Sequence, residues 1–99
     1  MFVVCVTLTL QANHRDSFRD YAGREGLQAR NMPGCVEYSF CEDVADPLRV
    51  LLYEEWATRE DFEEYKSSPF FSATNQRLKA LLCAPPKSAY YVAEDVFGL

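Results

Sequence analysis

Apolar and polar residues alternate from the start of the chain. Phe2, Val4, Val6, Leu8 and Leu10 share one parity, and Val3, Cys5, Thr7 and Thr9 share the other. Phe2–Leu10 therefore reads as a β-branched strand with one strongly apolar face. The period then changes. Phe18, Tyr21, Ala22, Ala29 and Met32 recur at roughly helical spacing, with Arg15, Arg19, Asp20, Arg24 and Glu25 on the outer side. Asn13 and Asp16 are candidate N-caps for this helix; Gly23 and Gly26 weaken it and Pro33-Gly34 stops it.

Alternation returns over Cys35–Glu42, with Val36, Tyr38 and Phe40 on one face and Glu37 and Ser39 on the other. Asp43, Asp46 and Pro47 make a turn into a third strand, Leu48–Trp56, whose near-continuous apolar run predicts burial on both faces. Thr58 and Asp61 have the spacing of a capping box. The helix they open carries Phe62, Tyr65 and Lys66, breaks at Ser67-Ser68-Pro69, and resumes through Leu78, Leu81 and Leu82 to Pro85-Pro86. Ala89–Ala93 is a last short strand, and 94–99 a tail. The order β-α-β-β-α-β predicts an α+β, ferredoxin-like fold: an antiparallel sheet with both helices on one face, in a single domain over residues 1–99 with its core at about 2–93. The other sheet face carries Cys5, Thr7, Glu37, Ser39, Leu51 and Tyr53, half apolar, and predicts a homodimer packed sheet against sheet.

Composition narrows the function. Ten basic against fifteen acidic residues give a net charge of −5, which disfavours nucleic acid and anionic membrane surfaces as partners. Phe2–Val6 is too short for a membrane span and has no signal-peptide flanks. The four cysteines lie outside any C-x-x-C spacing and read as reduced packing residues of a cytoplasmic protein. With His14 as the one histidine, no metal site is expected.

Several segments in one register resemble a known family. Met32 to Ser39 (MPGCVEYS), Leu51 to Trp56 (LLYEEW), Ser67 to Phe71 (SSPFF) with Leu78, Leu81 and Leu82, and Ala84 to Pro86 (APP) are similar to successive motifs of the antibiotic biosynthesis monooxygenase domain. The resemblance covers nearly the whole chain and implies a dimeric α+β barrel. It also implies a cofactor-independent monooxygenase, using O2 as co-substrate and no bound cofactor, that acts on an aromatic polyketide, anthrone or quinol-like small molecule. The family's range leaves a non-redox alternative, a small-molecule isomerase or a dimeric ligand-binding protein. Tyr65 to Phe70 (YKSSPF) departs from the family's H-x-x-S-P-H run. Haem-degrading relatives need an iron-ligating His in this region, so that activity is not expected.

The site candidates follow. Trp56, Glu54 and Leu52 share a parity that points them toward the helices. Trp56 is a core residue, or lines a pocket with its indole N–H aimed at a substrate oxyanion. Glu54 is a buried acid satisfied by a backbone N–H or by an arginine such as Arg77, or a general base raised by desolvation. Asn13 caps a helix or holds a substrate carbonyl or dioxygen. Tyr65 is an amphipathic-helix residue, or a proton donor or acceptor. Phe18, Tyr21, Met32, Phe62, Phe70 and Phe71 are expected in the core or the pocket wall, and His14 on a polar surface loop.

Overall fold

The computed structural model describes residues 1–96. Strands β1 (Phe2–Thr9), β2 (Cys35–Glu42), β3 (Arg49–Trp56) and β4 (Lys87–Val92) form one sheet in the order β2-β3-β1-β4, with every pairing antiparallel. Helices α1 (Arg15–Arg24), α2 (Arg59–Lys66) and α3 (Pro69–Lys79) join them, with 3-10 turns at Ala12–His14 and Gly26–Asn31. This is the α+β, ferredoxin-like arrangement that the alternation of periods predicts. The tail expected over 94–99 is described to residue 96, and its last three positions lie outside the described residues.

One face of the sheet meets the helices. Phe2, Val4, Val6 and Leu8 of β1 and Val50, Leu52 and Trp56 of β3 are buried against Phe18 and Ala22 of α1, Phe62 and Tyr65 of α2, and Leu78 of α3. Full burial of side chains of this size contributes about 1.5–3 kcal/mol each. The register sets Phe2 opposite Trp56 and Val4 opposite Glu54, so the inward parity of β1 and that of β3 share one layer. Leu51, Tyr53 and Glu55, on the opposite parity, are only half-buried. The expectation of burial on both faces of this strand thus does not hold within one chain.

Local chemistry moves several boundaries. The first helix is shorter than its periodicity suggests: it ends at Arg24, and Ala29 is carried into the core by a 3-10 turn instead. Gly23 and Gly26 hold the helical conformation poorly, since each loses more backbone freedom than other residues. Val36 is 55% exposed because a bulge between Cys35 and Glu37 makes it the extra residue of β2; the strict alternation predicted there fails at this one position. Thr58 does cap α2, accepting the Asp61 N–H at 3.1 Å and donating its hydroxyl to the Asp61 carboxylate at 2.9 Å. The helix after Pro69 stops at Lys79, short of Leu81 and Leu82; Leu82 instead bridges Leu10. All four cysteines are free thiols, but Cys41 and Cys83 are exposed and so are not packing residues.

Candidate functional site

Between the helix-facing side of the sheet and α2 and α3 lies a cavity with about 540 Å³ of free space, its open mouth included. Its floor is Val4, Val6 and Leu8 from β1 with Leu52 and Glu54 from β3; Tyr38 and Tyr90 enter from the two edge strands. Tyr21, Phe62, Tyr65, Phe71, Thr74, Asn75 and Leu78 cover it from the helices. An apolar enclosure with a few polar groups converging on it is the usual form of a small-molecule site.

The break between α2 and α3 shapes the cover. Ser68 is the N-cap of α3: its hydroxyl accepts the Phe71 N–H at 3.2 Å and donates to the Tyr65 carbonyl at 2.6 Å. Pro69 occupies the first turn, where its missing N–H leaves no bond unmade. One serine therefore ties the end of α2 to the start of α3, and with them Tyr65 and Phe71, which meet edge to face at 5.3 Å.

Glu54 is the one carboxylate among the described residues of the lining, and it is 3% exposed. Its Oε1 accepts the indole N–H of Trp56 at 2.9 Å. Desolvation raises the carboxyl to about 7, and the Trp56 bond opposes part of that rise. Arg77, the partner expected for a buried acid here, pairs with Glu25 at 2.5 Å. One oxygen of Glu54 is bonded by an indole, which neutralises no charge.

Behind this acid sits a buried aromatic stack. Trp56 is fully buried and lies on Tyr65, with ring centroids 4.9 Å apart and 25° between planes. The Tyr65 hydroxyl is 3.1 Å from that of Tyr38, and either oxygen can donate. Burial pushes both phenols up, Tyr38 further because Tyr65 and Glu54 lie close to it, so both keep their protons at neutral pH. Burial also raises Tyr21, to about 12. Among the carboxyl and phenol groups of the described lining, Glu54 is thus the one poised to exchange a proton near pH 7.

The candidates divide accordingly. The structure brings Glu54, Tyr65, Tyr21, Phe62 and Phe71 to the cavity. Trp56 lies one layer back, and its N–H is taken by Glu54. Asn13 stands exposed in the first 3-10 turn, away from the cavity lining; the helix that follows begins after His14, with no side-chain cap bond. His14 is half-buried with an unpartnered Nδ1, so it is less of a surface residue than expected. Phe18 is a core residue against Phe40, and Met32 and Phe70 pack on the core outside the lining.

Sequence reasoning missed Tyr38, Thr74, Asn75 and Tyr90 as lining residues. For Thr74 the signal was present: it lies one turn before Leu78 and one after Phe71, on the same helical face. No group of three His, Cys, Asp or Glu side chains converges among the described residues, and no helix among them is long and apolar enough to cross a membrane.

Comparison with known proteins places the chain. The family model described as antibiotic biosynthesis monooxygenase matches residues 1–77. An uncharacterized protein of Synechocystis is 31% identical over 67 residues, which cover 67% of this chain and 46% of that protein; the chain thus spans about half the length of the curated relative it matches. A Deinococcus radiodurans structure provisionally named antibiotic biosynthesis monooxygenase superposes with a TM-score of 0.90 at 23% identity, covering 100% of this chain and 98% of the other. A conserved protein of Methanosarcina mazei gives 0.88 at 15% identity, over 94% and 92% of the two chains. At these identities the structural likeness speaks to the fold.

Proposed function

We propose that this chain, which belongs to the antibiotic biosynthesis monooxygenase family, is a cofactor-independent monooxygenase acting on an anthrone, aromatic polyketide or quinol-like small molecule. The observation that carries this reading is the Glu54 carboxyl, held inside an aromatic cavity by the Trp56 N–H and raised to about 7. A base with that affinity matches the acidity range in which proton transfer at neutral pH is efficient.

For an anthrone the steps balance without an added reductant. Glu54 takes a proton from the acidic ring carbon, and the resulting anion gives one electron to O2. The radical pair combines with formation of a C–O bond to a peroxide anion, which takes the proton back from Glu54 and becomes a hydroperoxide. Loss of water then breaks the O–O bond; the second C–H proton leaves with the departing oxygen and the carbon becomes a carbonyl. One oxygen atom enters the quinone and the other leaves as water. The cavity excludes bulk water from the radical stage. Trp56 acts as a positioning residue: it fixes one oxygen of Glu54 and is remote from the substrate. Tyr65 or Tyr38, each protonated, supplies a hydroxyl toward charge developing on the ring oxygen.

The proposal extends to a homodimer through the open sheet face, where Leu51 and Tyr53 are half-buried, and to a cytoplasmic setting, with which the free thiols agree. A second reading, a ligand-binding protein without turnover, draws on one observation: the Tyr38 and Tyr65 hydroxyls satisfy each other and leave few donors free. Oxygen uptake by chelator-treated protein on a panel of anthrones and hydroquinones separates the two. The oxygenase reading expects uptake matched by quinone formation; binding with no uptake above autoxidation supports the other.

A further inference from the structure

The cavity over Glu54 adjoins a second one, with about 700 Å³ of free space including its opening, and Phe62, Lys66 and Tyr90 line both. At this shared wall the Lys66 ammonium lies 5.9 Å from the centre of the Tyr90 ring. Tyr90 is packed in turn on Phe62, with centroids 5.7 Å apart, and on Phe2 at 6.1 Å. The threshold is thus an aromatic slot with a cation on its rim.

Among the described residues that cation has no carboxylate partner. Arg59, the other basic residue of the outer cavity, is held by Glu63 at 3.0 Å. Glu63 is the one acid among the described residues of the outer lining, and this pair takes it up. None of the ion pairs among the described residues includes Lys66. On a chain with a net charge of −5, Lys66 is an exposed cation at the wall shared by the two cavities, outside every ion pair found among the described residues, and it offers an anion a local positive charge there. The inner end carries the opposite preference. Once Glu54 has lost its proton, an anionic group beside it is disfavoured by like-charge repulsion.

We propose that the ligand is an aromatic carboxylate, held with its ring in the inner cavity and its carboxylate on Lys66 at the threshold. The two charges then orient it: the acidic C–H or O–H faces Glu54 and the carboxylate faces out. This specificity rests on the reading of the Glu54 cavity as the substrate site, though not on the occurrence of oxygen chemistry there.

Calorimetric titration with an isosteric pair, 2-naphthoate and the neutral 2-naphthamide, tests it at low salt. In the wild-type protein the acid binds about two- to fivefold more tightly than the amide. In Lys66→Met the ratio falls to near one, and in Lys66→Arg it persists, which separates charge from loss of fold. Equal affinities in the wild type, absence of binding by both compounds, or a preference that survives Lys66→Met would each overturn the proposal. Oxygen uptake on neutral hydroquinones is measured separately. Uptake without a carboxylate preference defeats this inference alone, and a preference without uptake defeats the oxygenase reading alone.

Discussion

In the folded chain burial lifts the Glu54 carboxyl from an ordinary 4.5 to about 7. The native state therefore holds a proton that the unfolded state releases between those values. The Glu54 contribution to stability is fully present below pH 4.5, falls as the pH rises through the window, and is lost above about 7. At about 1.4 kcal/mol per unit, the loss across the window is about 3 kcal/mol. Chemical denaturation of wild type and Glu54→Gln at pH 5 and pH 8 checks it: the wild type is less stable at pH 8 than at pH 5, and the variant has a flatter profile. On the oxygenase reading activity carries the opposite sign, since Glu54 as base works only when ionised, so turnover is expected to rise with a midpoint near pH 7. Trp56→Phe keeps the aromatic bulk but removes the N–H that favours the carboxylate. Its pH–rate midpoint moves up by about one unit, a displacement that a purely structural role for Trp56 would not produce.

At the scale of elements, the turn into β2 holds the site's frame. Gly34 has φ +80° and its carbonyl accepts the Ala57 N–H at 2.8 Å, joining the start of β2 to the end of β3 beside the Cys35–Trp56 pair. A Cβ at this position would run into the Asp61 side chain of α2. Gly34→Ala therefore combines left-handed strain of about 1–2 kcal/mol with a displaced helix cap. Thermal unfolding is expected to drop by about 8 °C or more; an unchanged midpoint would show that the turn relaxes freely.

The elements were largely legible in the chain, because β1 and β2 alternate, β3 is a largely apolar run of strand length, and Pro33, Ser68 and Pro69 punctuate the helices. The misreadings have local causes. A bulge at Val36 is invisible to an alternation argument, since the extra residue is itself β-branched and apolar. The weak glycines inside the first helix did break it, although the apolar period ran on through Ala29.

At the scale of the whole molecule, the site was less legible than the fold. Parity placed Glu54 and Trp56 on the inward face, but whether an inward residue meets substrate depends on how α2 and α3 lie across the sheet. Trp56 falls behind Tyr65, Phe18 falls into the core, and Asn13 ends in an exposed turn, whereas Tyr38 and Tyr90 reach the cavity from opposite edges of the sheet. Such placements depend on several elements at once and leave no mark in a single segment. The open face of the sheet poses the same kind of question for association. Leu51 and Tyr53 are half-buried at its centre and Tyr91 is 53% exposed toward its edge. If two copies pack there, Leu51→Asp should sediment as a monomer with its far-UV spectrum kept, while wild type sediments as a dimer.

The oxygenase account stands most directly on one assay: oxygen uptake and quinone formation from an anthrone by chelator-treated wild-type protein and Glu54→Gln at pH 8. The account predicts one quinone formed per O2 consumed by the wild type, and a fall in rate of at least about 100-fold in the variant. Equal rates in the two proteins would contradict it.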